Sequence, residues 1–270
     1  VELIFCADGN PEYARLAIEA GFTYGAQLPN KIYYQPDFVD QDWRNPDRGQ
    51  YLMALSQYQP RLATVLDWER RGQLPEVLGW AEDAAQFVDV VIIIPKVKAG
   101  VARLPFKIGG KPVRLAFSYP TGFGGADWSI LYEMIGWPNG IHLLGGPPQA
   151  ALALHAGRLK MSRHKTRQPD FFTSALDIRS ADSNQIMYLA NRGLFWRGNS
   201  DGTFAEHISI KQADGEKWGD GSSNANANYE CFKRSCQNVM AAWSLRTHRP
   251  PVARLTPQGL VTRPTKLGGG

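Results

Sequence analysis

The chain has 270 residues, 43% of them hydrophobic, which suffices for a full core and excludes a disordered protein ahead of the final tail. Its longest apolar run, VDVVIIIP at 88–95, is far too short to cross a bilayer, and no charged-then-apolar leader opens the sequence, so a cytoplasmic protein without membrane contact is expected. With 30 Lys and Arg against 25 Asp and Glu, the net charge of +5 points mildly to an anionic partner.

Strand-like and helix-like segments alternate along the chain. A first strand, ELIFCAD (2–8), precedes NPEYARLAIEAG (10–21), where Asn10 can cap, Pro11 takes the first helical position and Gly21 ends the helix. TYGAQLP (23–29), LATVLDW (62–68), VDVVIIIP (88–95), VRLAFSYP (113–120), GIHLLGG (140–146) and ALDIRSAD (175–182) read as further strands. Helices are expected at 75–87, 127–137 and 147–157. Nearly continuous apolar strands separated by helices indicate α/β architecture with a parallel sheet covered on both faces. No glycine-rich dinucleotide fingerprint follows the first strand, which favours a (β/α)8 TIM-type barrel over a doubly wound sheet. An eighth strand is expected in RGLFWRG (192–198) or is missing.

The barrel occupies residues 1–200, and residues 201–270 form a polar loop, a C-terminal helix at 229–246 and a Pro- and Gly-rich basic tail. Cys6, Cys231 and Cys236 make a poor disulfide framework. Cys231 and Cys236 lack neighbours at metal-ligand spacing, and no metal is expected. Two basic stretches suit phosphate contacts: one carries Arg158, Lys160, Arg163, Lys165 and Arg167, and the other opens with Lys233 and Arg234 and runs to Lys266 without an acid. Either run alone reads equally as a solvated basic face.

Loops after barrel strands build active sites, so polar residues there are informative. They are Asp8, Gln27, Asp67 with Glu69, Lys96, Ser118 with Tyr119, His142 with Gly145 and Gly146, and Asp182. Asp8 can also be read as a turn or cap residue, while Lys96 reads equally as a solvated lysine and His142 as a core histidine. Carboxylates gathered in one cleft divide acid, base and nucleophile roles.

GIHLLGGPPQAALALHAG, followed by a basic connection and a strand ending in Asp182, resembles the tRNA-guanine transglycosylase superfamily. The compact chain is most similar to the DNA-guanine transglycosylases of phages and bacteria, over roughly residues 2 to 198. Asp8, Asp67 in LDWE and Asp182 in SADSN fall in that family's order, while the tRNA enzymes' cysteine-rich zinc site is not recognisable. The resemblance implies replacement of guanine in DNA by a free 7-deazaguanine base such as 7-cyano-7-deazaguanine, in the host cytoplasm if phage-encoded, with RNA as the alternative acceptor and no cofactor. Asp182 would attack the sugar and Asp8 would move the proton. Asp67 would read the base edge, Leu144 and Gly145 would cover its face, an aromatic such as Tyr13 or Trp68 would lie opposite, and Lys96 and Ser118 would contact substrate. The alternatives are a glycoside hydrolase-like carboxylate barrel and a non-catalytic nucleic-acid-binding barrel.

Overall fold

The structure, a computed structural model, describes residues 1–7, 9–120, 125–155, 176–198, 204–218 and 224–247. Eight parallel strands form the barrel: β1 (Glu2–Ala7), β2 (Thr23–Gln27), β3 (Phe38–Asp40), β4 (Leu62–Trp68), β5 (Val90–Pro95), β7 (Lys111–Ser118), β8 (Ile141–Leu144) and β9 (Ile178–Asp182). They pair in the order β5-β4-β3-β2-β1-β9-β8-β7, and β7 pairs with β5 to close the ring. The short β6 (Lys107–Ile108) folds back antiparallel on β7.

The eighth barrel strand is therefore β3, and not the expected 192–198 segment. That segment is β10 (Leu194–Gly198), which pairs antiparallel with β11 (Phe204–Ser209) outside the barrel. β3 escapes a pattern search because its three residues are all buried and show no alternation.

Helices α1 (Pro11–Glu19), α2 (Arg48–Tyr58), α3 (Leu74–Ala84), α4 (Trp128–Glu133), α5 (Pro148–His155) and α6 (Gln185–Ala190) follow barrel strands, with α7 (Ile210–Asp214) and α8 (Ala225–Thr247) beyond them. The Asn10 side chain caps α1, accepting from the Glu12 and Tyr13 amides. The C-terminal helix is not an appendage: Phe232 of α8 meets Phe5 of β1 with ring centroids 5.0 Å apart and Tyr13 of α1 at 4.5 Å. Near its end Trp243 donates to the Val1 carbonyl at 3.1 Å and stacks on His155. Tyr13 is thus part of the shared core, and so is Trp68, which is fully buried. Neither can lie against a ligand.

Half of the barrel interior is apolar, filled by Ile4, Cys6, Phe38, Leu62, Ile92, Ile94 and Ala116. Gly25 makes room for them, because a Cβ there would come within 2.7 Å of Cys6 Sγ, 2.8 Å of Ile4 and 2.9 Å of Phe38. G25A should cost about 1–3 kcal/mol of stability through overpacking. A urea titration checks this as a lower midpoint at unchanged slope.

Candidate active site

The other half of the interior is polar, and it forms a column leading to the mouth. Arg114 on β7 donates from Nη1 to Ser180 Oγ at 2.9 Å, Ser180 Oγ lies 2.8 Å from His142 Nδ1, and His142 Nε2 lies 2.9 Å from Asp182 Oδ1. One proton arrangement gives every hydrogen an acceptor: the Ser180 hydroxyl donates to Nδ1, and Nε2–H donates to Asp182. Burial lowers the Arg114 guanidinium to about 10, so it stays charged at neutral pH. His142 is fully buried and stacks on Phe38 at 5.2 Å.

Asp182 Oδ1 also accepts the Gly145 amide at 3.0 Å. Gly145 and Gly146 adopt φ of +65° and +96°, the left-handed region that suits glycine, and this turn aims the Gly145 N–H at the carboxylate. Ser183 secures the arrangement by donating to the Gly146 carbonyl at 2.7 Å. Asp182 is therefore held by its Oδ1, leaving Oδ2 without a hydrogen bond among the described residues. H142A should cost about 2–5 kcal/mol, because it opens a cavity beside Phe38 and strips partners from Ser180 and Asp182. Chemical denaturation of the variant measures this.

The mouth is a pocket of about 910 Å³ lined by Asp182, Asp67, Lys96, Ser118, Leu144 and Gly145, so six of the expected catalytic and substrate-contacting residues converge on one cavity. Asp8 lies outside the described residues. Asp67 faces inward because β4 carries one extra residue against β5, the register passing from Thr64↔Ile92 to Asp67↔Ile94. Its carboxylate meets Lys96 Nζ at 2.5 Å, and Lys96 also reaches Glu69 at 3.3 Å. Burial pushes Asp67 above the usual carboxylate range despite Lys96, whereas the two acids hold the lysine above its ordinary value against the opposing effect of burial. Lys96 is an ion-pair partner and not a solvated lysine.

Asp40, at the end of β3, was not among the expected site residues. Its carboxyl is pushed up to about 8, chiefly by burial and further by the charges of Asp182, Asp67 and Asp42, which outweigh the Thr64 hydroxyl 2.5 Å away. It lines the same pocket and is protonated at neutral pH. Cys6 lines the pocket with these acids, and burial together with the charges of Asp182 and Asp40 raises its thiol well above the ordinary value, so it is no nucleophile. Gln27 and Gln185 also line the cavity, and Gln185 Oε1 is buried without a hydrogen-bond partner among the described residues.

Of the expected nucleic-acid contacts, Arg158, Lys160, Arg163, Lys165 and Arg167 lie outside the described residues. Of the described residues flanking that run, His155 stacks on Trp243, which bonds Val1, and Leu176 lies two residues before β9. Lys233 is exposed on α8, but Arg234 is committed to Asp214 at 2.7 Å and Glu230 at 2.8 Å and is a structural residue.

Among the described residues no group of three or more His, Cys, Asp or Glu side chains is placed to hold a metal ion, and no helix is long and apolar enough to cross a membrane. A comparison with curated proteins finds no match. Residues 16–244 match the family described as "Family of unknown function (DUF6610)", so the chain, with its aspartate-lined barrel mouth, belongs to DUF6610.

Proposed function

We propose that the protein is a base-exchange transglycosylase that replaces guanine in DNA with a 7-deazaguanine derivative through a covalent glycosyl ester on Asp182. The observation that carries this reading is the contrast between two aspartates in one pocket. Asp40 is held neutral, and Asp182 is oriented by His142 and Gly145 with one oxygen left to react. One carboxyl group kept neutral by burial, beside a second that hydrogen bonds fix in position, matches the pair of carboxyl groups that glycosyl transfer uses.

In the forward half-reaction Asp182 Oδ2 attacks C1′ of the sugar as the bond to guanine breaks, and Asp40 gives its proton to a ring nitrogen of the departing base. Asp40 thus takes the acid–base role that the resemblance assigned to Asp8. In the second half-reaction the incoming base loses its N–H proton to the Asp40 carboxylate, its nitrogen attacks C1′, and the ester to Asp182 breaks. Protons and electron pairs balance over the cycle. Asp67, Lys96 and the Gln185 carboxamide supply donors and acceptors for the base edge. The target base must leave the stack to reach them.

The test incubates the protein with guanine-containing DNA or RNA oligonucleotides and 7-cyano-7-deazaguanine, followed by digestion to nucleosides and mass measurement. Incorporation of the new base, with guanine released in equal amount, is expected. Abasic or cleaved product without incorporation would instead identify a hydrolase using the same two acids. No change in any nucleic acid would end the exchange reading.

A further inference from the structure

The pocket floor is acidic, but its rim carries the opposite chemistry. Trp43 and Arg44 stand on the connection from β3 to α2, while Tyr188 on α6 and Arg192 just after it stand elsewhere on the rim, and all four line the pocket. Trp43 is 43% exposed and Tyr188 56%, whereas Trp68, Trp80, Trp137, Trp196 and Trp243 are buried. Each rim aromatic has an arginine beside it in structure or sequence. The Arg44 guanidinium lies 4.9 Å from the Trp43 ring centroid, and Arg192 follows Tyr188 by about one helical turn. Neither guanidinium pairs with a carboxylate among the described residues, although Arg15, Arg48, Arg61, Arg179 and Arg234 all do.

Flat π-faces next to unpaired cations, on two segments of one rim, match a ligand that alternates flat rings with anionic links. We infer that this rim grips the nucleotides flanking the reacting one in an unpaired strand. Their bases stack on Trp43 and Tyr188, and their phosphates meet Arg44 and Arg192. A neutral sugar chain could stack on the same rings but would leave both guanidinium groups without a partner. The rim also explains how a reacting base is kept out of the helix: its neighbours are held unstacked at the mouth.

The experiment measures binding of the full chain to a fluorescent oligodeoxynucleotide, single-stranded and as a duplex, over a salt series. The single strand should bind more tightly than the duplex. W43A and Y188A should each weaken strand binding about 5- to 150-fold. R44A and R192A should each flatten the slope of log affinity against log salt by about 0.7. Both aromatics are exposed, so circular dichroism should show the variants folded. Parental affinity in both aromatic variants overturns the inference, as does tryptophan quenching by a neutral oligosaccharide with no response to the strand. The inference rests on the nucleic-acid reading of the pocket, and the outcomes separate the two. Strand binding that depends on Trp43 and Tyr188 without base exchange refutes the chemistry alone, whereas exchange with an unchanged KM in the W43A Y188A variant refutes the rim alone.

Discussion

Replacing Asp182 with asparagine should slow base exchange by about 10⁴-fold or more while leaving the fold intact. Asparagine has nearly the shape of aspartate, and its carbonyl oxygen can still accept from His142 Nε2 and the Gly145 amide, which are 2.9 Å and 3.0 Å from Oδ1 in the parent. It cannot form the glycosyl ester, because a neutral carboxamide is a poor nucleophile at C1′. Single-turnover incorporation measures the loss. Denaturing electrophoresis should show a protein–DNA adduct with the parent and none with D182N. A variant within tenfold of the parental rate, or one still forming the adduct, would remove Asp182 from the nucleophile's role.

The second large effect is on pH dependence, through Asp40. With its carboxyl at about 8, kcat/KM for guanine release should hold across neutral pH and fall as pH rises through about 8, where the acid loses its proton. D40N should lower the rate by about 10²- to 10⁴-fold and abolish that alkaline limb. Stability moves in a direction opposite to the usual one for an aspartate. Because the folded-state value is raised from 3.8 to about 8, the folded chain keeps a proton that the unfolded chain releases between those values. The contribution is fully present below about pH 4 and is lost as pH climbs toward 8. D40N should flatten this decline and exceed the parent in stability at pH 8, by on the order of 5 kcal/mol as an upper bound. Urea titrations of both proteins between pH 5 and pH 9 test it, and parallel pH profiles would refute a buried, proton-bearing Asp40.

Asp40 and Asp182 also show where sequence patterns carry and where they fail. Asp182 ends a five-residue strand preceded by recognisable apolar residues, so its position at a strand end is readable from local alternation. Asp67 is readable in the same way, although its inward aim depends on a bulge that no local pattern announces. Asp40 ends a strand of three residues lying just after Pro36 and Asp37, too short for a period to emerge. His142 was visible as a polar residue between Ile141 and Leu143, but its service to Asp182 depends on Ser180 and Arg114, which are 38 and 66 residues apart from their bonded partners in the chain.

By itself the sequence determined the alternation of strand and helix, the (β/α)8 barrel, seven of its eight strands and the acids and small residues at several strand ends, because each of these is written in contiguous residues through apolar runs, caps and turns. Only the tertiary structure decided that β3 completes the ring, that Asp40 is held protonated, that Arg234 is bound up in ion pairs and that Trp43 and Tyr188 share a rim. Those outcomes depend on desolvation and charge among residues far apart in the chain, and such effects arise only once closure of the barrel brings them together.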